Sequence, residues 1–529
     1  MSNYFLVSLI PLVIFLCIKT KKGFHMLQQN WYNDGNRYIK WILSNKVKVF
    51  LNFDLCFILF FIFKFLDNTV SIIIFVTIYA LLAYIYKINQ KKEQVKKPLA
   101  FTKRVRRLSI TTTILYLIII FVIYFTFNEK YLWIYYIILG FATYLNYMIV
   151  YLANIINKPI EKSVFLYYKN KAVKKLKGIN LDVIGITGSY GKTSSKNILN
   201  DILNVKYDSF ATPKNFNTTY GLILSINNYL DKFSNFFIAE MGAFKQGEIK
   251  ELCDLVHPKY GILTKIGTAH LESFGSQENI QKGKFELIES LPSDGIGILN
   301  GDDELQVNYK LKNNCKILFI GIDNKDVDVR ATNIVLTNKG TTFDCIFKGD
   351  KEKYHFETRL LGKANIYNIL AGIALGKELG ISIDMLISGV KQVNSVEHRL
   401  ELKKFGNINI IDDAYNSNPV GSKMAVEVLG MMPGKKIIVT PGMIELADMQ
   451  YELNKKLGEY IADVCDEVIL IGKEQTKPIY DGLIEKKYDV KKIHILNDVK
   501  LAFPLMQNLS DDETYVLLEN DLPDIFNEK

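Results

Sequence analysis

Five long apolar runs fill the first third of the chain, at about residues 4–18, 49–66, 70–86, 108–127 and 131–153. Each approaches the ~20 residues that carry a helix across a hydrocarbon core. From Leu181 the pattern changes, and short β-branched runs alternate with amphipathic stretches, which predicts βαβ units and a parallel sheet. The expected fold is therefore an α-helical membrane domain followed by an α/β region. The first run, YFLVSLIPLVIFLCI, is short enough for a signal-peptide core. Its basic residues follow the run, and no small-residue cleavage site is evident, so it reads as a retained signal anchor. Segment 158–178 mixes seven Lys with aromatic and aliphatic residues. That mixture predicts a basic juxtamembrane helix, lying on an anionic leaflet or serving as a solvated linker.

The α/β region divides in two. Residues 181–395 hold the buried strands LDVIGIT and FFIAEMGA, and within them 328–360 alternates and turns at Asn338–Gly340, as appended antiparallel strands would. Residues 396–529 repeat the βαβ pattern through INIIDD, KKIIVT, EVILIG, KIHIL and TYVLLE, with helices expected at 419–430, 451–464, 476–485 and 497–506. This is a Rossmann-like order without GxGxxG. The expected organisation is 1–157 membrane domain with about five transmembrane helices, 158–180 linker helix, 181–395 central domain and 396–529 C-terminal domain.

The net charge of +10 suggests a nucleic-acid partner until it is divided. Residues 1–180 hold 25 Lys and Arg against six acids, or +19, and the remainder holds 40 against 49, or −9. Seven of the bases lie in 19–48 and nine in 87–107, the loops between alternate runs. Basic loops stay cytoplasmic, so the N-terminus is expected outside and everything after residue 155 in the cytosol. No nucleic-acid partner is expected. Asp54 and Lys64 are ionisable within the runs, near enough to their ends to snorkel. Six Cys without a CxxC pair exclude a disulfide framework and a zinc ribbon.

The chemistry-bearing motifs lie in the α/β region. LDVIGIT runs into GSYGKTSSKNILNDIL, a Gly-bearing turn opening a helix. Backbone N–H groups of such a turn cradle phosphates, with Gly188, Ser189 and Gly191 forming the loop, Lys192 neutralising the β/γ-phosphates and Thr193 offering its hydroxyl to Mg²⁺. The strict GxxxxGK[ST] pattern fails, because its first glycine falls at Ile186; the strand–turn–helix setting carries the reading. Glu240 ends the FFIAE strand, where α/β sheets bind ligands and where a carboxylate suits Mg²⁺. His270 follows another strand tip. Lys284 lies on a helix downstream, and Asn365 and Asn368 stand at a helix start, able to cap it or to meet a nucleobase.

Together TGSYGKT, IAEMGA, GTAHLESFGS, KFELIESLP, LLGKANIYN, EHRLE, DDAYNSNP and TPGMIEL resemble the Mur ligase family over about 181–520, nearest to its branch that adds D-alanyl-D-alanine to a muramoyl tripeptide. The resemblance implies an ATP-dependent acid–amine ligase of peptidoglycan biosynthesis acting through an acyl phosphate. It implies ATP and two Mg²⁺ as cofactors, with Lys192, Glu240, His270 and Lys284 catalytic. Thr193, Glu240, His270 and a carbamylated Lys284 would serve the metals. Asn300, Asn365, Arg399 and Asp413 would meet the nucleotide. Thr212, Asn215, Asn217 and Thr218 would face the carboxylate substrate, and Tyr415, Asn416 and Asn418 would line the closed cleft. The implied partners are a cell-wall precursor, UDP- or lipid-linked, and an amino acid or dipeptide.

Departures stand beside the likeness. Ala364 replaces the family's usual His, and Thr218 and Ile223 depart from the closest branch. Apolar runs occupy the place of the N-terminal UDP-binding domain. A Mur-type ligase for a different cell-envelope carboxylate, an ATP-driven transporter and a non-catalytic nucleotide-binding scaffold are the competing readings. Apolar spans and the lack of an ABC-type signature weigh against the transporter. The intact set Lys192, Glu240, His270 and Lys284 weighs against the scaffold.

Overall fold

The computed structural model describes residues 3–30, 32, 36–92, 98–126, 131–337, 339–406, 408–415, 417–444 and 446–521. The chain divides into two units, Met1–Tyr167 and Tyr168–Lys529. The division falls inside one helix, Asn146–Lys177, so the basic segment begun at Lys158 continues the preceding apolar helix, with Pro159 inside it.

The first unit is helical. Asn68–Gln90 and Lys103–Thr126 are each long and apolar enough to cross a membrane. The run at 131–153 is interrupted: helices Leu132–Tyr144 and Asn146–Lys177 meet at a 69° bend. The run at 49–66 does not form an α-helical span. A short helix, Lys46–Phe50, gives way to a 3₁₀ helix, Phe53–Phe65. Thirteen residues at ~2.0 Å rise cover roughly 26 Å. Aromatic side chains make the core here, with Phe15, Phe60, Phe75, Tyr135 and Tyr136 fully buried. Outward positions remain apolar: Ile10, Ile62, Phe65, Leu117, Phe121 and Phe125 are all exposed.

One charged pair sits inside this apolar packing. Lys19 and Asp54 are 0% and 3% exposed and ion-paired, so Asp54 does not snorkel outward as its place near a run end suggests. Lys19 Nζ also donates to the carbonyls of Thr143 at 2.9 Å and Tyr144 at 3.2 Å, the last turn before the bend. A cation there suits the carbonyl end of a helix, Thr143 O accepting from Leu145 N as well. Removing one member of a buried pair strands the other charge. Lys19→Met is expected to destabilise the full chain in detergent by roughly 3–5 kcal/mol, and Lys19→Met with Asp54→Leu to recover most of that. Thermal midpoints of the two variants check it; a single variant as stable as the parent would refute it.

The second unit carries two sheets. The larger has nine strands: β1 Asp182–Thr187, β2 Ser209–Ala211, β3 Phe236–Glu240, β4 Tyr260–Leu263, β5 Ile296–Asn300, β6 Lys316–Gly321, β7 Val329–Thr337, β8 Gly340–Phe347 and β9 Tyr354–Thr358. Their order is β2-β3-β1-β4-β5-β6-β7-β8-β9. The pairings through β7 are parallel and those of β8 and β9 antiparallel, as the alternation at 328–360 predicts. β3 and β4 are buried throughout because helices cover both faces. The chain reverses direction across the sheet at β1, which lies between β3 and β4. Ligands bind outside the carboxyl ends of strands at such a switch point.

The smaller sheet is β10 Glu401–Phe405, β11 Ile408–Asp413, β12 Lys435–Thr440, β13 Glu467–Ile471, β14 Ile493–Leu496 and β15 Thr514–Glu519, in the order β10-β11-β15-β12-β13-β14. Only β10 runs antiparallel. Its own switch point places the ends of β11 and β15 side by side, with Asp413 opposite Glu519. The two sheets share packing: Leu361 and Leu400 belong to the core formed by Ile411, Val428 and Leu457.

Candidate active site

β1 ends at Thr187, and the chain turns through Gly188–Gly191 into the helix Lys192–Leu203. The turn is packed against the segment after β4: Ser189 N donates to Lys265 O at 2.9 Å and Ser189 Oγ to Gly267 O at 3.1 Å. Gly188 has φ +148°, and a Cβ there would lie 1.9 Å from Thr264 Oγ1. Gly191 has φ +82° at the helix N-cap. Glycine is thus required by sterics at the first position and favoured by the left-handed backbone at the second. The resulting loop offers backbone N–H groups at a helix N-terminus, the arrangement that binds phosphate. Lys192 Nζ donates to Gly188 O at 2.7 Å and Ser189 O at 3.1 Å, lying across the mouth of the loop. Burial lowers its pKa to about 8; Glu240 opposes the shift and Arg399 adds to it.

Glu240, at the tip of β3, is 1% exposed. Register places it beside Ile186 of β1, one residue from the turn. Its Oε1 accepts from Thr193 Oγ1 at 3.2 Å and from Asn217 Nδ2 at 3.1 Å. Its backbone N–H donates to Thr212 Oγ1 at 3.2 Å. The motifs at 192–193, 212–217 and 240, far apart in sequence, therefore converge on one carboxylate. Lys196 joins them, its Nζ 3.1 Å from Glu240 Oε2. Sequence reasoning passed over Lys196; its place one helical turn after Lys192 was the available signal.

His270 and Lys284 lie near enough to Lys192 for charge to be felt. Burial lowers the His270 pKa to about 4, and Lys192 and Lys284 add to the shift. His270 takes φ +61° at the start of the short helix Leu271–Phe274, its ring 4.5 Å from that of Phe244. Lys284 is 2% exposed, its Nζ 3.4 Å from Ala243 O and 5.3 Å from the centre of the Phe274 ring. Burial, then Lys192, lowers its pKa to about 7, while Glu248 and Glu286 pull upward. Among the described residues no three His, Cys, Asp or Glu side chains group as a metal cluster. Thr193 and Glu240 nonetheless present two oxygen donors beside the phosphate loop, which suits Mg²⁺, an ion that keeps waters and takes ligands from phosphates.

From the smaller sheet, Arg399 lies 4.4 Å over the Tyr415 ring. Burial lowers its pKa, against Asp413, Tyr415 and Glu240. Asp413 Oδ1 accepts from Leu400 N at 3.2 Å, and burial with Glu519 pushes its pKa up to about 7. Glu519 is saturated by hydroxyls: Ser422 and Thr440 each donate at 2.6 Å, and Ser417 also donates.

Other expected residues have local duties. Thr218 caps the helix Thr219–Asn228 through Gly221 N, and Asn418 caps Pro419–Gly430 in the same way. Asn300 Oδ1 accepts from Asp302 N at 2.9 Å. Asn365 does not cap its helix, whose N-cap is Gly362; its Nδ2 donates to Leu361 O at 2.8 Å. Asn215 is exposed. Asn416 lies outside the described residues.

A phosphate-binding loop at a switch point, with an acidic strand tip beside it and a second parallel α/β domain supplying an arginine, defines a nucleotide-binding α/β enzyme architecture. Residues 186–376 match the Mur ligase middle domain, and residues 398–519 match the Mur ligase glutamate ligase domain. The UDP-N-acetylmuramoyl-tripeptide–D-alanyl-D-alanine ligase of Bacillus subtilis (strain 168) is 32% identical over 302 residues, 56% of this chain and 64% of that one. The ligase of the same name from Rickettsia prowazekii (strain Madrid E) is 31% identical over 342 residues, 60% of this chain and 72% of that one. The crystal structure of MurF ligase from Thermotoga maritima in complex with ADP superposes with a TM-score of 0.59 at 27% identity, covering 67% of this chain and 80% of that one. The chain belongs to the Mur ligase family. It spans just under two thirds of the Bacillus relative's length.

Proposed function

We propose that this chain is a membrane-anchored, ATP-dependent ligase that joins an amine to a cell-envelope carboxylate through an acyl phosphate. The observation that carries the reading is the convergence of Thr193 and Asn217 on Glu240 at the switch point, with Lys192 over the adjoining loop and near enough for the two charges to be felt. Thr193 and Glu240 would hold Mg²⁺, and the 188–191 loop with Lys192 would hold the phosphates of ATP. When bound, the nucleotide supplies the phosphoryl group that converts an unreactive carboxylate into an acylating agent. Arg399 brings a second cation toward the same place. Such charge crowding needs fixed cations more than acid–base groups. Asn217 and Thr212 border the approach from which a carboxylate reaches that charge. Burial of Lys284 against Phe274 and Ala243 fits an amine kept for carbamylation, whose added carboxylate would complete a second Mg²⁺ site with His270.

The names of the relatives favour D-alanyl-D-alanine as the amine and a UDP-muramoyl tripeptide as the carboxylate. The helical first unit favours an alternative acceptor, a lipid-linked carboxylate. Its outward apolar side chains and the helices Asn68–Gln90 and Lys103–Thr126 support membrane anchoring. The basic segments 19–48 and 87–107 favour a cytosolic enzyme region. Full-length protein from carbonate-washed membranes is expected to release ADP with UDP-muramoyl tripeptide, D-alanyl-D-alanine and Mg²⁺-ATP, and to give a product heavier by the dipeptide. Turnover only with a lipid-linked acceptor would replace the substrate assignment. Loss of the protein to the carbonate wash would remove the anchoring.

A further inference from the structure

Glu240 has more neighbours than a metal carboxylate needs. Its two oxygens are treated differently: Oε1 faces Thr193 and Asn217, while Oε2 faces Lys196 at 3.1 Å. Lys196 and Glu240 side chains are each 1% exposed, so the pair is shielded from bulk solvent. Lys196 Nζ also donates to the carbonyl of Lys214 at 2.5 Å. Lys214 has φ +49° and stands within the 212–218 loop, between Thr212, on which Glu240 N rests, and Asn217, which reaches Glu240 Oε1. One ammonium group thus ties three things together: the helix that follows the phosphate loop, the strand-tip carboxylate and the loop bordering the carboxylate approach.

We propose that Lys196 is a positioning residue that reserves Glu240 Oε1 for the metal and clamps the acceptor loop beside it. The inference rests on Glu240 being the Mg²⁺ carboxylate. With one oxygen held by the ammonium, the carboxylate presents a single oxygen toward Thr193, which is the monodentate presentation Mg²⁺ favours. The same ammonium balances Glu240 before any metal arrives, so an unpaired buried carboxylate never forms. It opposes metal entry electrostatically, because two cations then share one carboxylate. Lys196 therefore holds metal affinity down while raising the order of the loop. These two effects have opposite signs, which separates them from simple structural support.

The test uses full-length protein in detergent with Mn²⁺ as the probe, read by electron paramagnetic resonance without nucleotide. Lys196→Met keeps the stem and removes the charge. It is expected to bind Mn²⁺ at least tenfold more tightly than the parent, while the KM for the acceptor carboxylate rises and kcat falls. Lys196→Arg keeps the charge and is expected to hold Mn²⁺ affinity within about threefold of the parent. Should Lys196→Met fail to fold, Lys196→Gln repeats the measurement with a neutral hydrogen-bonding side chain. Unchanged or weaker Mn²⁺ binding in a folded neutral variant overturns the proposal. Glu240→Gln tests the underlying reading separately: Mn²⁺ binding that survives it undiminished removes Glu240 as the metal carboxylate, whatever Lys196 does.

Discussion

Lys192→Ala is expected to lower ADP release by about 10³-fold, in the range set by removal of a preorganised charge from a transition state. Lys192 Nζ is held over the loop by the carbonyls of Gly188 and Ser189, so it stands ready where phosphate oxygens would arrive. Lys192→Arg should not restore the rate, because a planar fork does not replace a compact ammonium in that space. The depressed pKa adds a second readout. At pH 8 the free protein carries Lys192 about half protonated, given its value of about 8. Binding an anionic nucleotide raises that value, so ADP binding at pH 8 is expected to take up a proton fraction of roughly one half. Uptake falls toward zero at pH 6, where the group is already charged. Calorimetry in buffers of different ionisation enthalpy measures it. Turnover within threefold of the parent, or no proton uptake at pH 8, would refute the role.

Lys284→Ala is the second large effect, a fall in ligation of roughly 10²–10³-fold, comparable to loss of a metal-supporting group. Lys284 is almost fully buried, and its pKa of about 7 leaves much of the amine neutral just above neutral pH. Only the neutral amine captures CO₂, so the rate of the parent should rise with pH through 7 and should respond to bicarbonate in CO₂-depleted buffer. Formate or acetate should rescue Lys284→Ala in part by standing in for the missing carboxylate. Undiminished ligation in the variant, together with indifference to bicarbonate in the parent, would dismiss the carbamate.

Several of these positions were legible in the sequence alone, for a physical reason. Buried parallel strands are nearly uninterrupted apolar runs, and each hands over at its carboxyl end to a ligand-facing loop; so Lys192, Thr193 and Glu240 could be placed without coordinates. The appended antiparallel strands at 328–360 were equally visible, because alternation has one reading. Contacts between distant segments were not. KTSSKN puts Lys196 one helical turn after Lys192, on the same helix face, but does not name Glu240 as its partner. Thr218 and Asn418 were expected at substrate, yet each spends its oxygen on a helix N-terminus, a local use that short polar residues serve well. The 49–66 run shows the limit of hydropathy: its apolar character reads as one of about five transmembrane helices, whereas Phe53–Phe65 winds as 3₁₀ and is not among the helices long and apolar enough to cross.

The patch around Gly362 joins the two α/β domains. A Cβ at Gly362 would meet Leu400, Met424 and Val428 at 3.3–3.4 Å, and Ala364 N donates to the Met424 sulfur at 3.4 Å. Leu361 is itself part of the smaller domain's core. The seam between the two domains is therefore stitched where the helix Lys363–Glu378 begins. A bulky replacement at Gly362, whose φ is +85°, is expected to strain that seam and lower the thermal midpoint, although it touches none of Lys192, Thr193 or Glu240.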